Sequence, residues 1–139
     1  MISIDNARAL AEAGLRWRPV SGDAFRIERS GFERDVFTVS EMTIEPHEFD
    51  TGTILGFNGT TEWALDSLAL EDALWLPRED QLRDLLRSTF RSLTRLGIGR
   101  YRVIVELAGS PESFDAADPA DAYADAVLRL ISLSADSLA

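Results

Sequence analysis

Hydrophobic and polar positions change period several times along the chain, and each change predicts an element. Ile4, Ala7, Leu10 and Ala11 recur on one face of a helix that Ser3 can cap and Gly14 can end. Leu15, Trp17 and Pro19 lead into the turn residues Ser21-Gly22-Asp23, and a short strand follows from Ala24 to Glu28. Ser30-Gly31 breaks that strand. Between Asp35 and Glu45 the apolar residues Val36, Phe37, Val39, Met42 and Ile44 predict another strand, with a bulge near Ser40. Asn58-Gly59 is the sharpest turn signal, predicting a type I′ hairpin that joins Thr53–Phe57 to Thr60–Leu65. That register sets Phe57 against Thr60, Leu55 against Glu62 and Thr53 against Ala64. Leu68 to Trp75 fits a strand or a short helix equally well, and reads as a connection that buries Trp75.

Pro77 suits the first turn of a helix, where its missing N–H costs nothing. At about 100° per residue, Leu82, Leu85, Leu86, Phe90, Leu93 and Leu96 share an arc of roughly 140°. A helix from Pro77 to Leu96 follows, ended by Gly97 and Gly99. Tyr101, Val103, Val105 and Leu107 then alternate as one face of a strand, and Gly109-Ser110-Pro111 turns the chain into a short strand around Phe114. Asp118 caps a last helix with Pro119 at its first position and Tyr123, Val127 and Leu130 facing inward. Residues 132–139 are expected to fray. The 139 residues suit one domain. The expected fold is α+β, a mostly antiparallel sheet of about five to six strands on three helices, in the order α-β-β-β-β-α-β-β-α.

Composition narrows the chemistry. All 14 basic residues are Arg; Lys and Cys are absent, and His47 is the single imidazole. Thiol nucleophiles, thiolate metal sites, Schiff-base lysines and P-loop lysines are thereby excluded. A Ser-His-Asp device would have to run through His47, and no Gly-x-Ser-x-Gly elbow exists for it. Gly52, Gly56 and Gly59 belong to the predicted hairpin rather than to a dinucleotide fingerprint. His47, between Glu45 and Glu48 and close to Asp50, reads as a loop histidine whose acidic neighbours favour its charged form. With its acidic neighbours it could bind a divalent metal, but one His without preset helical spacing makes a weak site, so no cofactor or metal is expected. The three tryptophans, Trp17, Trp63 and Trp75, read as structural. No apolar run approaches the 18 or so residues of a membrane span, and Met1 to Asp5 lacks the basic and apolar regions of a signal peptide. A cytoplasmic location is expected.

Charge is segregated. The net charge is -10, yet residues 77–102 hold seven Arg and three acids, whereas residues 32–76 hold one Arg and ten acids. Residues 103–139 are again acidic. On the predicted helix Arg83, Arg87, Arg91 and Arg95 recur every four residues and form a basic ridge opposite the leucine arc. Its mirror is the acidic stretch containing Glu41, Glu45, Glu48 and Asp50, followed by Glu62, Asp66, Glu71 and Asp72. Either feature serves as a solvated face. Read functionally, they suggest a non-enzymatic module that binds another protein or itself, a homodimer included. Nucleic acid is disfavoured, because the rest of the molecule would repel phosphate. The rival is an enzyme or small-ligand binder with carboxylates and His47 gathered in a cleft.

The segments Gly56-Phe57-Asn58-Gly59-Thr60-Thr61-Glu62-Trp63-Ala64-Leu65-Asp66-Ser67 and Trp75-Leu76-Pro77-Arg78-Glu79-Asp80-Gln81-Leu82 carry a resemblance. They look like a group of small uncharacterised actinobacterial proteins, some of them labelled pilus-assembly proteins. The likeness covers most of the chain and implies a bacterial single-domain protein. That label implies a P-loop ATPase, which a chain without Lys does not supply. Residues 75–131 are also loosely similar to small phage-encoded α+β proteins. Neither group implies a functional residue.

Overall fold

In the computed structural model the described backbone comprises residues 1–29, 31–32, 34–39, 44–49, 52–57 and 67–138, with side chains described for 1–29, 31–32, 34–39 and 71–135. Chain order begins with α1 (Ile4–Glu12), followed by β1 (Ala24–Ile27), β2 (Phe37–Thr38), β3 (Ile44–Phe49), β4 (Gly52–Phe57), β5 (Ser67–Ala69) and β6 (Ala73–Leu76). Then come α2 (Glu79–Leu86), β7 (Phe90–Gly97), β8 (Arg100–Leu107), β9 (Ser110–Ala116) and α3 (Pro119–Leu138). The α+β class and the alternation of helix, strands, helix, strands, helix agree with expectation. The single sheet does not. The described strands form three three-stranded antiparallel sheets, ordered β2-β1-β6, β3-β4-β5 and β7-β8-β9. They belong to two compact units, Met1–Arg16 with Pro77–Ala139 and Trp17–Leu76.

In the unit Trp17–Leu76, β1 and β6 alternate in burial, with Phe25 opposite Trp75 and Ile27 opposite Ala73. Trp17, Phe25, Ile27 and Val39 make the core, against which Phe32, Phe37, Ala73 and Trp75 pack. The buried Asp23 is 1% exposed and accepts from the Trp17 indole Nε1 at 2.9 Å and the Val20 N–H at 3.1 Å. A buried carboxylate is tolerable only when supplied with donors in this way.

Several expectations change in this unit. The strand expected from Asp35 to Glu45 is two strands: β2 pairs with β1, whereas β3 pairs with β4. The bulge expected near Ser40 lies outside the described residues. His47 lies on β3 opposite Ile54, not in a loop. Pro46 is tolerated there because β3 is the outer strand of its sheet. β4 pairs with β5 so that Leu55 meets Leu68 rather than Glu62, and the Asn58-Gly59 turn itself lies outside the described residues, as does Trp63.

The second unit places α3 at its centre, packed against α1, α2, β8 and β9. Ser3 caps α1 by accepting from the Asn6 N–H. At its other end Gly14 takes φ +103°, the Leu15 N–H reaches the Leu10 carbonyl and the Gly14 N–H reaches that of Ala11. These bonds are the Schellman pattern that consumes carbonyls left free at a helix end. Ala7, Leu10, Leu82, Leu86, Val103, Val105, Tyr123 and Val127 are buried. Asp118 caps α3 by accepting from the Ala120 N–H at 2.8 Å. α3 then runs on to Leu138, past the point where fraying was expected.

The main correction concerns the predicted helix from Pro77 to Leu96. α2 stops at Leu86, Arg87–Thr89 make a 3₁₀ turn, and Phe90–Gly97 are strand β7. Register shifts fall between Phe90 and Ser92 and between Arg95 and Gly97. With the extra residue Arg91, Phe90 and Leu93 face the same side opposite Val105 and Val103. Their spacing of three, which suggested a helix, comes from a bulged strand. Among the described residues no helix is long and apolar enough to cross a membrane.

Candidate interaction surface

Strand alternation positions the charged side chains of the β7-β8-β9 sheet. On β8, Val103, Val105 and Leu107 are buried, leaving Arg102, Ile104 and Glu106 for the opposite face. Register then sets Arg102 opposite Asp115 on β9 and Thr94 on β7. Arg102 makes a two-pronged pair with Asp115, Nε to Oδ1 at 2.8 Å and Nη2 to Oδ2 at 2.9 Å. Arg100 reaches the same carboxylate at 3.4 Å. The Arg102 hydrogen bonds hold the Asp115 carboxyl below its usual pKa and raise that of the Arg102 guanidinium. Arg91 pairs with Glu106 at 3.0 Å and donates to the Phe90 and Ser88 carbonyls. Residues 90–107 therefore carry four Arg and one acid, and Asp115 of β9 adds one further carboxylate.

The four arginines expected as one ridge are not one. Arg83 lies on α2, where its interaction with Tyr123 raises its pKa. Arg87 follows α2 with φ +52°. Arg91 and Arg95 lie on β7, Arg95 opposite Tyr101. Among the described residues neither Arg87 nor Arg95 has an ion-pair partner. The structure thus brings Arg91 and Arg95 onto one strand and separates them from Arg83. Of the acidic counterpart, Glu45 and Glu48 lie on β3 opposite Gly56 and Thr53; Glu41 and Asp50 lie outside the described residues.

Arg100, Arg102, Glu106 and Asp115 were missed as a group. Their signal was available in Arg100-Tyr101-Arg102, where charge alternates with apolar residues at the period of a strand. Among the described strands β7 is one of the two outer strands of its sheet, and Leu93 to Gly97 are exposed. Ile98, at the tip of the β7–β8 turn, is 95% exposed, and Leu93 and Leu96 are exposed as well. β7 thus combines exposed apolar side chains with an arginine that has no ion-pair partner among the described residues.

A second cluster joins α1 to α3. The Asn6 side-chain amide donates to Asp121 at 3.1 Å and to Asp125 at 3.2 Å, and the Ser3 N–H donates to Asp121 at 2.8 Å. The Met1 amino group meets Asp118 at 2.9 Å. Burial pushes the Asp125 carboxyl up, the Asn6 bond pulls it down and the charge of Asp121 pushes it up again, with a net rise. Each carboxylate is occupied by a donor of α1 or of the chain before it, so the cluster is a fastening. Among the described residues no three His, Cys, Asp or Glu side chains are grouped to hold a metal.

No protein-family model, curated protein or solved structure matches the chain.

Proposed function

We propose that the chain is a non-enzymatic interaction module whose β7–β8 hairpin docks an acidic protein surface. The observation that carries this reading is the exposed outer strand β7, with Leu93, Leu96 and Ile98 uncovered and Arg95 unpaired among the described residues. Apolar exposure supplies affinity, and the excess of arginine supplies steering and choice of partner. The acid-rich stretch 32–76 makes a second copy one acceptable partner. Phosphate is disfavoured by the net charge of -10. Under this reading the module works in the cytoplasm and needs no cofactor.

The test is fluorescence anisotropy with a labelled acidic peptide at low and high salt, using wild type, Arg95→Glu and Ile98→Ser. Binding weakens with salt, and each substitution lowers affinity by about tenfold while circular dichroism stays the same. Equal binding by all three proteins, or no binding by the wild type, overturns the reading.

A further inference from the structure

We infer that the occupant of β7 is an acidic, extended polypeptide segment that adds a strand to the sheet along Ser92–Arg95. This rests on the docking reading above and specifies its partner. In an antiparallel sheet an outer strand turns the N–H and C=O of alternate residues away from its one neighbour. Among the described strands β7 has a neighbour, β8, on one side only. The register shifts flank Ser92, Leu93, Thr94 and Arg95, which pair without interruption with Ile104, Val103, Arg102 and Tyr101. Between those irregularities lies the regular stretch that can take a further strand. The other outer strand, β9, carries Pro111, which has no N–H to offer.

Charge chooses the occupant. Pairing β7 with the β7 of a second copy would bring Arg91 and Arg95 of one chain beside those of the other. Like charges across a strand pair are destabilising. An acidic segment reverses the sign of that contact. The existing ion pairs do not remove the preference, because Asp115 is shared between Arg100 and Arg102 and Arg95 is left over. Leu93 and Leu96 supply apolar contacts beside the new strand.

Amide hydrogen exchange followed by NMR tests this, on the full chain with a ten-residue peptide of alternating Glu and Val. Protection that rises at alternate residues of Ser92–Arg95 on adding the peptide, by about tenfold or more, is the result expected. Arg95→Gln, which leaves the backbone intact, weakens that protection. Peptide binding that is lost in Arg95→Glu but never protects these amides overturns strand addition and leaves the docking reading standing. Binding indifferent to Arg95, or no binding, overturns both. Protection that grows with protein concentration in the absence of peptide overturns the acidic segment in favour of a second copy.

Discussion

Arg102 and Asp115 face one another across β8 and β9 and meet through two hydrogen bonds, at 2.8 and 2.9 Å. The pair holds the Asp115 carboxyl below its ordinary value, so the folded chain keeps this group ionised where the unfolded chain would protonate it. The associated stability is present above the unfolded carboxylate pKa and is lost as pH falls through the folded one. Carbon-detected NMR titration places the Asp115 midpoint below that of a free aspartate. In Arg102→Gln the midpoint moves up, and an unmoved midpoint would show that Arg102 is not the cause.

Asp125 behaves in the opposite sense. Burial and the neighbouring Asp121 raise its folded pKa against the opposing Asn6 bond, so ionising it weakens the fold as pH rises through that value. Asp125→Asn keeps an oxygen that can accept from Asn6 and removes a like charge one helical turn from Asp121. It stabilises the protein by about 0.2–0.5 kcal/mol at neutral pH. The gain disappears in acid, where Asp125 is protonated in the parent. Urea unfolding at both pH values measures this, and a gain equal at both would exclude the electrostatic cause.

Asp23 joins the Trp17 indole to the Val20 backbone inside the smaller core. Truncation in Asp23→Ala leaves the buried Trp17 indole N–H without its acceptor and removes the acceptor of the part-buried Val20 N–H. The expected loss is about 1–3 kcal/mol, the range for leaving a buried donor unsatisfied. Trp17 fluorescence should shift to the red at lower denaturant concentration. A loss below about 1 kcal/mol would mean that water or another acceptor replaces the carboxylate.

The β8–β9 turn is built on Ala108 at φ +52° and Gly109 at φ +82°, flanked by the pair Leu107 and Ser110. Positive φ at both central residues is the type I′ arrangement, in which Asn is much better suited than Ala. Ala108→Asn therefore raises stability by about 0.5–1 kcal/mol in urea titrations. Destabilisation would show that the Ala108 methyl has contacts worth more than the backbone strain.

Legibility from sequence follows the same physics. α1, β1, β8 and α3 were readable because each has one buried face with an uninterrupted period and punctuation at its ends, such as Ser3, Gly14 and Asp118-Pro119. β7 was not, because its bulge at Arg91 turns a spacing of two into a spacing of three. The turn after Leu107 was expected at Gly109-Ser110-Pro111 and lies at Ala108-Gly109, since Ala carries no preference for positive φ. For the candidate surface, the excess of arginine over residues 77–102 was visible, but its placement required the strand assignment. Arg91 was expected in a basic helix ridge, whereas its acid, Glu106, lies across a hairpin and fifteen residues away.

Arg87 shows why the helix stops at Leu86, eleven residues before Gly97, the glycine that was expected to end it. At φ +52° and ψ -132° it takes a backbone conformation that suits glycine and costs a residue with a Cβ roughly 1–3 kcal/mol. The sequence around it gives helix little to set against that cost: Ser88, Thr89, Ser92 and Thr94 are poor helix formers, and Thr89 donates its hydroxyl to the Leu86 carbonyl at 2.6 Å. A strand from Phe90 instead buries part of Phe90 against Tyr123, ring centroids 5.7 Å apart. Arg87→Gly relieves the strain while loosening the unfolded chain by about 0.5–1 kcal/mol, so the balance is a gain of about 0.5–2 kcal/mol. Urea unfolding measures it, and the exposed guanidinium, without an ion-pair partner among the described residues, subtracts little. A loss of stability in Arg87→Gly would show that this residue holds the α2–β7 corner by contacts of its side chain rather than against its own backbone preference.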